Sequence, residues 1–416
     1  MKKVLILCDL FPPAFGPRMG YLCKYLRAEG WEPVVLTEKV KDEQAFAFLK
    51  GYAKVQRINY YPAKSKSGKR RQWFFTFLRD LFWGYKDKRM FRKAREILMK
   101  DHYDLILCSS FRTFPLTAAA EVAALYKLPL VVDLRDIIEQ YSGQEYLTHR
   151  PPSLLGLGKL LIAAYTRTEL RRRNLALQQA QAVTTVSPWH QEQLRQYNPR
   201  VELIYNGYDP ELFFPAHKPT SHFIITYTGR LLSTAMRDPA LFFEALSLLI
   251  KENTIYPSDC QVHWYVDEAS RKVITEEAAK YDLLPYMHFR GYVAANYIPE
   301  VLNNSSILLL LTNRAASDGP KGIMTTKFFE SLAVEKPILC VRSDESYLAA
   351  AIRETRAGLA ATDIEEVTVF LKQQYEMWKE QGYTAAAVDR EAIQRYARPY
   401  QAKQFANIFN ALAVNE

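Results

Sequence analysis

Lys327 and Glu330 lie three residues apart in the stretch Gly319–Val341 (GPKGIMTTKFFESLAVEKPILCV), so on a helix their side chains share one face. Thr325 and Thr326 stand just before them as candidate N-caps, at a helix start whose backbone N–H groups lack intrahelical partners. A helix N-terminus with a lysine beside it suits a diphosphate. A carboxylate one turn on can accept hydrogen bonds from a ribose. The pattern reads as a nucleotide-sugar site. It equally fits an amphipathic helix carrying a solvated Lys–Glu pair, and the segment alone does not choose between the two.

Other residues invite similar questions. Gly16 lies in the loop after the first apolar run, where a missing side chain would let backbone approach a diphosphate; a plain tight turn fits as well. Arg18 follows it, a candidate contact for acceptor or phosphate. Asp133, Arg135 and Asp136 form a DLRD loop after an apolar run, and both carboxylates are candidates to orient an acceptor hydroxyl. A loop cap or an ion pair is the alternative for Asp136. The seven histidines form no metal-binding spacing, and His190 and His263 read as structural. No metal and no resident cofactor are expected.

These residues need elements to hold them. Short apolar runs alternate with helical patterns: Val4–Cys8, Pro33–Thr37, Val55–Ile58, Leu105–Cys108, Leu130–Asp133, Ala182–Val186 and Glu202–Ile204. That is the signature of a parallel sheet covered on both faces. The pattern restarts with Phe223–Thr228, Val262–Val266, Met287–Phe289, Ile307–Leu311 and Ile338–Val341. Between the two sets lies a turn-rich join containing Asn206-Gly207, Pro210, Pro215 and Pro219. The expected architecture is α/β, with two doubly wound Rossmann-like domains, 1–205 and 206–395, binding ligand in a central cleft at the strand ends. Residues 396–416 read as helical, with a break near Pro399.

Composition agrees. A chain of 416 residues, 49% hydrophobic and 24% charged, exceeds one ordinary core. The opening MKKVLILC is cut short by Asp9 and reads as a buried strand, not a signal peptide. No apolar stretch reaches the ~18 residues of a spanning helix. The five scattered cysteines suggest reduced core thiols. A net charge of +10 calls for an anionic partner.

Several segments together resemble the GT-B glycosyltransferases of glycosyltransferase family 4, in a bacterial surface-polysaccharide branch. They are FPPAFGPRMGYLCKYLRAEGWEPVVLT, LPLVVDLRD, AVTTVSPWHQEQL, VELIYNGYDPELFFP, ITYTGRLLSTAMRDPALFFEAL, MHFRGYVAANYIPEVLNNSSILLLLT and the Lys327–Glu330 segment. Their order and spacing cover nearly the whole chain. The resemblance implies a retaining, metal-independent transfer from a UDP- or GDP-sugar. The donor would sit on the C-terminal domain and the acceptor on the N-terminal one, with the last helix crossing back to the N-terminal domain.

It also implies roles. Arg230 takes the place of the family's phosphate arginine, and Lys327 joins it as a cation for the departing diphosphate. Arg237 stands where other members carry a second basic residue. Glu330 matches the second glutamate of the family's E-x7-E signature, which holds the ribose. Gly322 stands in place of the first glutamate, and Asp318 is the nearby candidate substitute. Arg135 is closest to a histidine found in many relatives. Asn206 and Gly207 shape the entry to the second domain.

The segment Lys64–Arg95 concentrates lysines and arginines against only Asp80 and Asp87. It also carries Trp73, Phe74, Phe75, Phe77, Leu78, Leu81, Phe82 and Trp83. This suits the interface of an anionic membrane, where a lipid-linked glycan acceptor would be met; a core helix followed by a solvated basic helix is the alternative. No motif supports nucleic-acid binding. The expected location is the cytoplasm, peripheral on the inner face of the plasma membrane. Two rivals keep the fold: a sugar-nucleotide epimerase, and a non-catalytic subunit that binds sugar nucleotide for a partner transferase.

Overall fold

The computed structural model describes residues 1–14, 16–40, 46–62, 66–111, 113–140, 157–231, 233–234, 237–312, 324–341 and 346–413. It divides into two compact units. One holds Met1–Tyr205 and Gln401–Glu416, the other Asn206–Tyr400.

The first unit is built on seven strands: β1 (Lys2–Cys8), β2 (Trp31–Glu38), β3 (Lys54–Ile58), β4 (Leu105–Ser110), β5 (Leu130–Leu134), β6 (Ala182–Thr185) and β7 (Val201–Leu203). All pair in parallel, in the order β3-β2-β1-β4-β5-β6-β7. The central strands are apolar at successive positions because both faces are covered. Leu5 and Leu7 pack on one side with Met90, Ala94 and Leu116. Val4 and Ile6 pack on the other with Met19, Leu22, Phe405 and Phe409. The last two come from the helix Arg398–Ala413. Pro399 lies in its first turn, where a missing N–H costs no helical bond, so the break falls before the proline.

The second unit repeats the plan with β8 (Phe223–Thr228), β9 (Cys260–Tyr265), β10 (Met287–Phe289), β11 (Ile307–Leu311), β12 (Ile338–Val341) and β13 (Gly358–Ala361). Its parallel order is β10-β9-β8-β11-β12-β13. The sequence pattern missed β13, whose GLAA carries no β-branched residue. A Cβ at Gly358 would fall 2.0 Å from the Ile338 carbonyl oxygen, so close backbone approach to β12 holds this strand in place.

In each sheet the chain reverses its direction of growth beside the first strand, between β1 and β4 and between β8 and β11. Loops leaving the carboxyl ends of such neighbours diverge and leave room for a ligand. All five cysteines are buried. Among the described residues no helix is long and apolar enough to cross a membrane.

Candidate functional site

In the second unit, β8 delivers Gly229 and Arg230, and the next described element after β11 is the helix Thr326–Ala333. Phe328, Phe329 and Leu332 bury one side of that helix, which leaves Lys327 and Glu330 on its partly exposed face. Thr325 takes the N-cap position without a side-chain capping bond. The Thr325 hydroxyl therefore does not close the helix start.

The lysine lies back across the end of β8. Its Nζ donates to the Tyr227 hydroxyl at 3.0 Å and stands 4.4 Å from the centre of that ring. Gly229 makes this path open: with φ of +99°, its missing Cβ would fall 2.5 Å from Lys327 Cε. The Tyr227 hydroxyl donates in turn to the Arg230 carbonyl at 3.0 Å, and Arg237 donates to that same oxygen. Three cationic residues thus gather around one strand end. The Arg230 side chain is 74% exposed and pairs with Asp267 at 3.3 Å. Asp267 is itself fixed as the cap of the helix Glu268–Ala279.

Burial dominates the electrostatics of the lysine and the glutamate. Burial, with Arg237 adding, pushes the Lys327 ammonium down to about 7; Glu330 opposes this. Burial pushes the Glu330 carboxyl up to about 7 against the attraction of Arg398 and Lys327. Among the described residues Glu330 accepts no hydrogen bond. Asp318 and Gly322 lie outside the described residues.

The two-unit fold is shared with known transferases. Anabaena HepE in complex with UDP superposes with a TM-score of 0.64 at 16% identity, covering 99% of this chain and 100% of that one. Sucrose-phosphate synthase from Thermosynechococcus elongatus gives 0.60 at 14% identity, covering all of both chains. The lipopolysaccharide outer core galactosyltransferase WaaB gives 0.56 at 13%, covering 99% and 100%. At such identities the likeness is one of fold. No curated protein matches the sequence. Residues 18–212 match the model of Glycosyltransferase Family 4. The chain has the GT-B fold of these transferases, and the family 4 match covers just under half of it.

In the first unit the expected acceptor residues separate into two groups. Arg18 and Asp133, 4% and 0% exposed, are turned on one another. Arg18 Nη2 meets Asp133 Oδ1 at 2.9 Å, and its other donors reach the carbonyls of Ile204 and Tyr205. Ser109 and Thr184 also donate to Asp133. Burial would raise this carboxyl, but the Arg18 charge and these hydrogen bonds hold it below the usual range. A buried carboxylate so saturated offers nothing to an acceptor; the pair ties strands together.

Arg135 and Asp136 sit further out, after β5. Arg135 donates to Asp9 at 2.8 Å, and Asp9 also accepts from the backbone of Phe111 after β4. Asp136 is partly buried and accepts from Gln140 at 2.8 Å. Burial raises its carboxyl, with Gln140 and Arg135 opposing. Gln140 reaches on to His190 Nε2 at 2.8 Å, and burial holds His190 neutral at about 4. His263 is likewise pushed down to about 4 by burial, between Gln261 and Arg290. Gly16 precedes the helix Pro17–Leu26, and a Cβ there would strike the Leu10 carbonyl at 2.7 Å. Close packing alone therefore requires this glycine.

Sequence reasoning passed over Tyr227, Asp267, Asp9 and Gln140. The turn after β8 pointed to Arg230 but gave no sign that a tyrosine inside the strand met the lysine a hundred residues away.

Proposed function

We propose that this protein is a glycosyltransferase of the family 4 type, moving a sugar from a UDP- or GDP-sugar to a glycan acceptor, lipid-linked at the membrane surface, with retention of configuration. The observation that carries the reading is the convergence of Lys327, Arg237 and Arg230 at the end of β8, with the Glu330 carboxylate on the lysine's own helix face. Breaking a bond to a nucleoside diphosphate builds negative charge on the departing phosphate. Fixed cations stabilise that charge without a metal ion. In this reading Arg230, Arg237 and Lys327 hold the diphosphate and Glu330 accepts from the ribose hydroxyls. An arriving diphosphate draws Lys327 back to its charged form. The HepE structure with UDP and glucose supports a uridine donor.

On the acceptor side Asp136 orients the attacking hydroxyl, flanked by Arg135. The leaving phosphate takes the hydroxyl proton, as a front-face reaction requires. Arg18 and Asp133 act beneath them by holding β5 and its neighbours in register. The membrane reading rests on Lys66–Trp83 and Tyr85–Leu98, where Arg71, Arg79, Lys88, Arg92 and Arg95 are exposed beside Phe75 and Trp83.

Thermal shift against a panel of UDP- and GDP-sugars, followed by product analysis, tests the reading. One donor class should stabilise the wild type, and Glu330→Ala should weaken that donor about tenfold, the effect of losing ~1.4 kcal/mol. Arg230→Ala should depress transfer further than it depresses binding. Glu330→Ala and Arg230→Ala proteins that transfer normally would refute the site. An epimer formed from donor alone, or donor binding without turnover on any acceptor, would replace the transfer reading.

A further inference from the structure

We propose that Tyr227 is the positioning residue of Lys327, fixing where the lysine's ammonium group stands for the nucleoside diphosphate. The inference rests on the reading of Lys327 as a phosphate ligand and adds to it a residue inside the sheet. Tyr227 is 1% exposed on β8. An aliphatic side chain or phenylalanine would fill such a position without a polar group, and a buried hydroxyl is costly unless it is hydrogen-bonded. Here the hydroxyl uses both capacities. It accepts from Lys327 Nζ and donates to the Arg230 carbonyl, each at 3.0 Å. The ring face lies under the ammonium at 4.4 Å, within range of a cation–π contact.

A lysine on a flexible stem loses rotamer freedom when a ligand fixes it, and a site that fixes it beforehand removes that cost from binding. Tyr227 supplies one wall of such a channel and Gly229 the other, since any side chain at Gly229 would meet Lys327 Cε. The same Arg230 carbonyl that takes the Tyr227 hydroxyl also takes Arg237, so one oxygen ties the lysine's support to a second cation. The charged groups facing the lysine are Arg237 from the loop after β8 and Glu330 on its own helix, with Arg398 beyond Glu330, while the Arg230 side chain turns to Asp267. Arg237 favours the neutral lysine. The hydroxyl acceptor and the ring face favour the charged one, and this gives Tyr227 a signature that simple packing lacks.

The test measures UDP and GDP affinity by calorimetry for the wild type, Tyr227→Phe, Lys327→Met and the double variant, at pH 6 and pH 8.5. Tyr227→Phe removes one oxygen and keeps the ring, and a melting curve verifies the fold. Its affinity should fall about fivefold at pH 8.5, as for one hydrogen bond, and less at pH 6. In the Lys327→Met background the same change should do nothing. An undiminished effect of Tyr227→Phe without the lysine, an equal loss at both pH values, or no loss at all would overturn the inference. If Lys327→Met weakens binding and Tyr227→Phe does not, this inference alone falls. If Lys327→Met changes nothing, or the wild type binds neither nucleotide, the phosphate reading falls and takes it along.

Discussion

Gly229 shows how little room the site leaves. Its φ of +99° belongs to glycine, and the Lys327 stem crosses where a Cβ would be. Gly229→Ala should lower stability by about 1–3 kcal/mol through backbone strain and also displace the lysine. Nucleotide affinity should then drop in a variant that still folds, which denaturation and calorimetry on one sample will separate. Lys327 and Glu330 were legible because helical spacing is local: three residues apart means one face. Tyr227 was not, because in an apolar strand its hydroxyl looks like any core aromatic. Arg18 and Asp133 were each marked as candidates, but nothing local showed that they pair. They are 115 residues apart, and only the folded sheet reveals that they answer one another.

Strands and helices, as units, were mostly written in the apolar pattern. Every run predicted as a strand became one, since continuous burial on both faces demands continuous hydrophobicity. β13 escaped because its backbone approach, not its side chains, makes it a strand. The Arg18–Asp133 pair works at this scale, joining β5 to the chain after β7. Arg18→Met leaves a buried carboxylate unpaired and should destabilise the first unit by about 3–5 kcal/mol in urea unfolding. Adding Asp133→Asn should recover part of that loss.

The basic helices hold a second test. Asp80 and Asp87, the only acids between Lys64 and Arg95, both turn inward: Asp80 accepts from the Lys86 backbone and Asp87 from that of Ala118. Burial, with Asp80 adding, pushes the Asp87 carboxyl up to about 7. A carboxyl raised in the fold supports it fully below its unfolded pKa, and that support is lost as pH climbs through about 7. Asp87→Asn should therefore gain stability at pH 8, on the order of 1 kcal/mol, and none at pH 3.5. Melting curves at the two pH values decide it.

For the whole molecule, inward-turned acids make the outer face of Lys66–Arg95 more positive than its composition suggests. Vesicles rich in anionic lipid should sediment the protein at low salt and release it at high salt, because exposed charge is screened. Reversing Arg71, Arg79 and Lys88 to glutamate should abolish sedimentation and leave nucleotide binding intact. Retention of those variants on the vesicles would remove the charged helices from the membrane reading.

The helix Arg398–Ala413 also has a meaning in time. Phe405 and Phe409 cover the sheet face formed by Val4, Ile6 and Trp31, yet they are synthesised some four hundred residues later. At about 5–20 residues per second, that face waits roughly 20–80 seconds for its cover while the second unit is being made. During synthesis this early face of the first unit is therefore completed only after the second unit has been made. A stalled ribosome would leave a greasy sheet for chaperones to guard.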